Sequence, residues 1–288
     1  MPDAGVAAAA GERWLPVHVA VTDDASRDAA AAALIALGAE GVQEVGDGLL
    51  TYVREGADIP SMRAAVQRAS PSAQLEVRGS ALDANWAEQW APRVGIQRVG
   101  DLVIAPPWLV DQAGAGRNTI IIEPAMAFGT GEHPTTRGVL RLMQGLVRAG
   151  DMVADLGAGS AVLSIAAARL GAARVAAIEM DEDAIGNAEE NVRRNDVGDR
   201  VKVLHGDAAA LLPLVAPVHV LLANILSSVL VQLSPVMRES LVPHGCAIVS
   251  GILFEERTDF LHAMAADGWT VEREDREGEW WSARLEQA

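Results

Sequence analysis

Four polar side chains stand where an apolar run gives way to a turn: Asp155 in MVADLGAGSA, Glu179 in RVAAIEM, Asp207 in VKVLHGD and Asn224 in VHVLLAN. Asp155 lies beside Gly157 and Gly159, and the alanine-rich stretch VLSIAAARL (162–170) follows and reads as a helix. A strand feeding a glycine turn feeding a helix lets backbone amides approach a ligand with no Cβ in the way. Val162 stands where a dinucleotide fingerprint needs its third glycine, and a carboxylate at position 155 would repel a pyrophosphate. The same carboxylate would attract the ammonium group of S-adenosylmethionine. Glu179, at the next strand end, is placed for a ribose diol, and Asp207 for the amino group of a heterocycle. The residues therefore predict a methyl-donor site and not a nicotinamide site.

A second stretch, TIIIEPAMAFGTGEHPTTRGVLRLMQGLVRAG (119–150), runs from an apolar strand into a loop with Gly129 and Gly131. Pro134 falls at the first position of a helix. Thr135 and Thr136 then lie in its first turn, where amides and hydroxyls are open to a carboxylate or hydroxyl of a ligand. An ordinary capped helix start would give the same pattern.

The elements that must position these residues can be read along the chain. Residues 1–11 are small and aperiodic. WLPVHVAV, SRDAAAAALIALG, GVQEV, LLTYVRE, SMRAAVQRAS and AQLEVRG follow in the order β-α-β-β-α-β, with GDG (46–48) as a hairpin turn. This predicts a small ferredoxin-like α+β domain over 1–79, without a catalytic constellation and suited to recognition or docking. Residues 80–117 read as a linker with a short helix carrying Trp86 and Trp90 on one face, then a hairpin in GIQRVGDLVIAPPW. From 118 to 288 strands alternate with helices, one of them interrupted near Pro235, which predicts a mostly parallel sheet covered on both faces. Trp280 and Trp281 alternate across the last strand.

The 288 residues suffice for one large α/β domain and one smaller one. A net charge of −16 argues against nonspecific binding to nucleic-acid backbones and would suit a basic protein partner. The single cysteine, Cys246, lies in the apolar run CAIVSGIL and reads as a buried hydrophobe. No charged-then-apolar segment opens the chain and no apolar run is long enough to span a bilayer, so a soluble, cytoplasmic protein is expected. No metal site is expected.

With DLGAGSA, Glu179, Asp207 and Asn224 in view, the chain resembles the class I S-adenosylmethionine-dependent methyltransferases, which implies a Rossmann-like domain with a seven-stranded sheet. AFGTGEHPTT (127–136), ANIL (223–226), NWAEQWAP and VIAPPW narrow the resemblance to the bacterial family that methylates ribosomal protein eleven of the large subunit. The motifs cover roughly residues 80–288; the N-terminal part matches in pattern, as that family's substrate-recognition domain does. The resemblance implies contacts to the methyl donor from Thr136, Gly157, Glu179 and Asn224, and from Phe128, Gly129 and Thr130 in the loop beside them. Two departures stand out: Glu132 where the family usually has Thr, and Glu179 where it usually has Asp. Many amino-methylating relatives carry Asn-Pro-Pro-Tyr where this chain has Asn224-Ile225-Leu226, and its absence fits an aliphatic amine, which offers no π face for stacking.

The expected chemistry is in-line displacement by a lysine or N-terminal amine, with no nucleophilic residue and no metal. Asn224 would accept a hydrogen bond from the amine and aim its lone pair; His133 is a candidate base or a structural loop histidine. The alternatives are action on another protein's lysines or a small amine, a dehydrogenase, and a non-catalytic binding protein of the same fold.

Overall fold

The computed structural model describes residues 14–21, 24–35, 37, 39, 42–45, 48–54, 56–77, 94–114, 116, 118–124 and 129–288. The chain divides into two compact units, Met1–Trp90 and Ala91–Ala288. Trp86, Trp90 and Phe128 lie outside the described residues.

In the first unit the elements are β1 (Trp14–Ala20), α1 (Asp24–Ile35), β2 (Val42–Val45), β3 (Gly48–Arg54), α2 (Ile59–Ala69) and β4 (Gln74–Val77). The strands lie in the order β2-β3-β1-β4, every pair antiparallel. Alternation decides which face is covered: Val17, Val19, Leu49, Val53 and Leu75 pack with Ala30 and Leu34 of α1 and Met62 and Val66 of α2. Asp58 caps α2, its Oδ1 accepting the Ser61 N–H at 3.0 Å, and Pro60 occupies the first turn.

The second unit opens with the hairpin β5 (Gln97–Val99) and β6 (Leu102–Ala105); β7 (Thr119–Ile121) joins β6 in parallel to make a three-stranded sheet. The helix α3 (Pro134–Met143) follows. Then come β8 (Met152–Leu156), α4 (Val162–Leu170), β9 (Arg174–Glu179), α5 (Glu182–Arg194), β10 (Val201–His205), α6 (Ala208–Val215), β11 (Val218–Asn224), α7 (Ser227–Glu239), β12 (Leu241–Leu253), α8 (Arg257–Ala266), β13 (Trp269–Glu277) and β14 (Trp280–Gln287). The seven strands β8 to β14 form one sheet in the order β10-β9-β8-β11-β12-β14-β13. The first five are parallel, and β14 runs against both its neighbours.

Near-continuous apolar strands need cover on both faces, and they have it. Val153, Val175, Val220 and Ile248 point to α3, α4 and α5, while Leu156, Ile178, Leu221 and Val249 point to α6, α7 and α8. Helix α7 continues through Pro235 where the sequence suggested an interruption. Proline removes one helical N–H bond, and the burial of Leu230, Leu233 and Met237 beside it outweighs that loss. Cys246 is buried on β12. Burial pushes its thiol up to about 11, where a thiolate does not form at neutral pH. Among the described residues no helix is long and apolar enough to cross a membrane, and no cluster of side chains could hold a metal ion.

Candidate functional site

The sheet changes direction of growth between β8 and β11, which are neighbours although three strands apart in sequence. Open α/β sheets bind ligands in the crevice beyond the carboxyl ends of strands at such a point. Asp155, Glu179, Asp207 and Asn224 stand at or just past the carboxyl ends of β8, β9, β10 and β11, four adjacent strands.

Asp155 is fully buried. Its Oδ2 accepts the Ser164 hydroxyl at 2.6 Å from the first turn of α4, while Oδ1 is buried without a partner. Desolvation raises its carboxyl to about 7, against the opposing effect of the Ser164 hydrogen bonds. The sequence placed this carboxylate beside a bound ammonium group. The structure puts it beneath the glycine turn, with one oxygen still to be satisfied.

The turn above it is exposed at Gly157, whose φ is +72°. A Cβ there would come within 2.5 Å of Ile225 Cγ2, so glycine is required both by the backbone and by the neighbour on β11's far end. The amides of Gly157 and Ala158 both donate to the Ile178 carbonyl, at 2.9 and 3.0 Å. Glu179 draws the rest of the turn in: Oε2 accepts the Gly159 N–H at 2.7 Å. Its Oε1 accepts the amides of Met180 and Asp181 at 2.8 and 2.9 Å. Of the two oxygens, Oε2 keeps the larger capacity for a further donor. Asp207 is exposed and caps α6, with Oδ1 accepting the Ala209 N–H at 2.8 Å.

The second predicted stretch meets the first. Thr136 is fully buried in the opening turn of α3, and Asn224 Nδ2 lies 3.5 Å from its Oγ1, at the outer limit of a hydrogen bond. Gly129 sits against the glycine turn, where its carbonyl accepts the Ser160 hydroxyl at 2.7 Å and a Cβ would meet that same oxygen. Thr130 is half-buried beside it. His133 is the N-cap of α3: its Nδ1 lies 2.7 Å from Thr135 Oγ1 and accepts the Thr135 N–H at 3.4 Å. That arrangement places the ring proton on Nε2, which suits a cap better than a base. Burial, and the nearby Arg137, lower its pKa further and keep it neutral. Glu132 accepts the Gly95 N–H at 2.9 Å, so the carboxylate that departs from the usual threonine ties the loop to the chain ahead of β5.

Several contributors were not legible in the sequence reading. Arg137 pairs with Glu277, and Arg141 with Asp275 and Glu277, fixing α3 to β13 from 134 or more residues away. Gly138 lets α3 settle on β14, where a Cβ would strike Ser282. Trp280 sets its ring edge-on to His133 at 4.8 Å between centroids. Ser160, Ser164 and Ile225 shape the turn, and Asn191 reaches it from α5, donating to the Ser160 carbonyl at 3.1 Å.

The chain is similar to known proteins. The family model described as ribosomal protein L11 methyltransferase (PrmA) matches residues 46–287. The ribosomal protein L11 methyltransferase of Chloroflexus aurantiacus is 36% identical over 238 residues, covering 75% of this chain and 72% of that protein. Its namesake from Desulforamulus reducens is 32% identical over 235 residues, covering 80% of this chain and 76% of the relative. Among solved structures, a ribosomal protein L11 methylase from Lactobacillus delbrueckii subsp. bulgaricus aligns with a TM-score of 0.59 at 28% identity, over 67% of this chain and 98% of that one.

Proposed function

The chain belongs to the ribosomal protein L11 methyltransferase family, and from that premise we propose that it methylates lysine side chains, the N-terminal amine, or both, of ribosomal protein L11, using S-adenosylmethionine. The observation that carries the assignment to this site is the meeting of Asn224 and Thr136 beside the exposed glycine turn at the switch point of the sheet.

The residues present fit the methyl donor. Asp155 Oδ1 is a buried acceptor with no protein donor, and Gly157 and Gly159 both take positive φ in a turn where a Cβ at Gly157 would meet Ile225. Asp155, Gly157, Gly159 and Glu179 would hold the donor from the β8 and β9 ends, Asp207 from the β10 end, and Thr136 and Asn224 from the other side. Phe128, Gly129 and Thr130 would complete the contacts. When bound, S-adenosylmethionine supplies a methyl carbon that an amine nitrogen can displace from sulfur in line.

The chain's own work is positioning. With Asn224 Nδ2 turned to Thr136, Oδ1 is the atom left to accept an N–H of the target amine and direct its lone pair. A lysine amine, with a reference pKa of about 10.4, is favoured in its neutral form by desolvation. Apolar side chains near the site, Leu226 and Phe254, are exposed after β11 and β12 and could shed water as a substrate segment arrives. The N-terminal unit would recognise the target protein, leaving the chemistry to the second. A cytoplasmic location and no membrane binding go with a ribosomal-protein substrate, and the net charge of −16 disfavours direct binding to nucleic-acid backbones.

The test is methyl transfer by the full chain from radiolabelled donor to purified ribosomal protein L11, with the modified amines located by mass spectrometry. Label on that protein supports the reading. Label confined to small amines, or none at all, would overturn it.

A further inference from the structure

Helix α5 carries asparagine at 187 and 191, and its C-cap is Asn195, so three carboxamides follow one another at four-residue spacing along one face. They treat the free edge of β7 and the residues after it as a strand would. Asn195 Oδ1 accepts the Ile121 N–H at 2.9 Å and Nδ2 donates to the Ile121 carbonyl at 2.6 Å. Two residues on, Asn191 Oδ1 accepts the Glu123 N–H at 2.8 Å and Asn187 Nδ2 donates to the Glu123 carbonyl at 3.2 Å. Asn191 and Asn195 are both essentially without solvent exposure. Buried backbone groups must be paired, and here side chains pair them.

Asn191 alone reaches further. Its Nδ2 donates to the carbonyl of Ser160, whose hydroxyl donates to Gly129. That serine lies in a turn where Gly157, Gly159 and Ala161 all have positive φ, at +72°, +52° and +64°. Left-handed conformations cost about 1–2 kcal/mol for a residue with a Cβ, so Ala161 is held there by what surrounds it. Glu179 secures the turn on one side through Gly159 N–H, and Asn191 secures the other through Ser160.

We propose that Asn191 is a positioning residue of the methyl-donor site, holding the glycine turn in its binding shape through the Ser160 carbonyl while its other end grips Glu123. The proposal rests on the donor reading given above. Asn195 supplies the internal control, since it has the same chemistry and burial but no bond to the turn.

The experiment compares Asn191→Ala, Asn191→Asp and Asn195→Ala in the full chain. Donor affinity is measured by calorimetry, kcat at saturating donor, Tm, and amide hydrogen exchange with no ligand present. Asn191→Ala is expected to weaken S-adenosylmethionine binding about tenfold, corresponding to about 1.4 kcal/mol, with kcat at saturation changed less than affinity. Exchange should quicken at 157–162. Asn191→Asp keeps the acceptor for Glu123 but loses the donor to Ser160, and should weaken binding as well. Asn195→Ala should lower Tm and quicken exchange at 119–123 while leaving donor affinity near wild type. Equal loss of affinity in Asn191→Ala and Asn195→Ala, or unchanged affinity in Asn191→Ala, overturns the proposal with the donor reading intact. Failure of the wild-type chain to bind the donor overturns both together.

Discussion

Asn224 Nδ2 and Thr136 Oγ1 lie 3.5 Å apart although 88 residues separate them, joining the end of β11 to the first turn of α3. The pair brings the two sequence stretches that suggested chemistry into one place. With Nδ2 toward Thr136, Oδ1 is the amide atom left for another partner.

If Asn224 aims the amine, its effect falls mainly on the transition state. Asn224→Ala should lower kcat by about tenfold or more while donor affinity changes much less, and Thr136→Val should give a smaller loss of the same kind. Steady-state kinetics with L11 and calorimetry with the donor separate the two. Parallel losses would make Asn224 a donor contact only.

Glu179 ties the glycine turn to β9 through Gly159 N–H and would also meet the donor's ribose. Glu179→Ala should weaken donor binding by about 1.5–3 kcal/mol, the worth of hydrogen bonds to a charged group. Glu179→Gln, which keeps one acceptor oxygen, should lose less. Calorimetry decides, and an unchanged affinity removes Glu179 from the site.

Asp155 gives a pH signature of unusual sign. Its folded carboxyl is raised to about 7 from 3.8, so the folded chain holds a proton that the unfolded chain has released over that interval. This carboxyl therefore contributes a loss of stability as pH rises from about 4 to about 7, and the loss is complete above that range. Asp155→Asn removes the titration, so its Tm relative to wild type should improve as pH rises from 5 to 8. Thermal melts of both proteins across that range test it; a constant difference would contradict the desolvated carboxyl.

The two units should separate functionally. A chain starting at Leu82 keeps every residue assigned to the donor and is expected to bind S-adenosylmethionine yet fail to methylate L11. Calorimetry and the radiolabel assay check the two halves of that statement. Methylation of L11 at the full-length rate would remove the docking role of residues 14–77.

Local chemistry was legible where one short segment carries it. DLGAGSA gave the strand, turn and helix because Gly157 and Gly159 are needed by backbone geometry that neighbours in sequence already imply. The apolar strand runs gave the covered sheet for the same reason. What stayed hidden depends on partners far along the chain: nothing beside Arg137 and Arg141 in the sequence names Glu277 and Asp275 of β13 as their partners. Asp207 read as a ligand residue by its place after a strand, and its part as the cap of α6 was not read. The asparagine spacing at 187, 191 and 195 was visible, but nothing in α5 itself says that a strand edge lies opposite.

The insertion of β14 between β12 and β13 bears on how the protein is made. Domains fold as they emerge during synthesis, N-terminal parts first, yet β13 cannot join this sheet until residues 280–287 have left the ribosome, because β14 is the strand it pairs with. Helix α3 leans on that hairpin through Arg137, Arg141 and Gly138, so Thr135 and Thr136 are synthesised early and the contacts that hold their helix come late. A nascent chain therefore carries Thr136 and Asn224 well before the hairpin that steadies α3 exists.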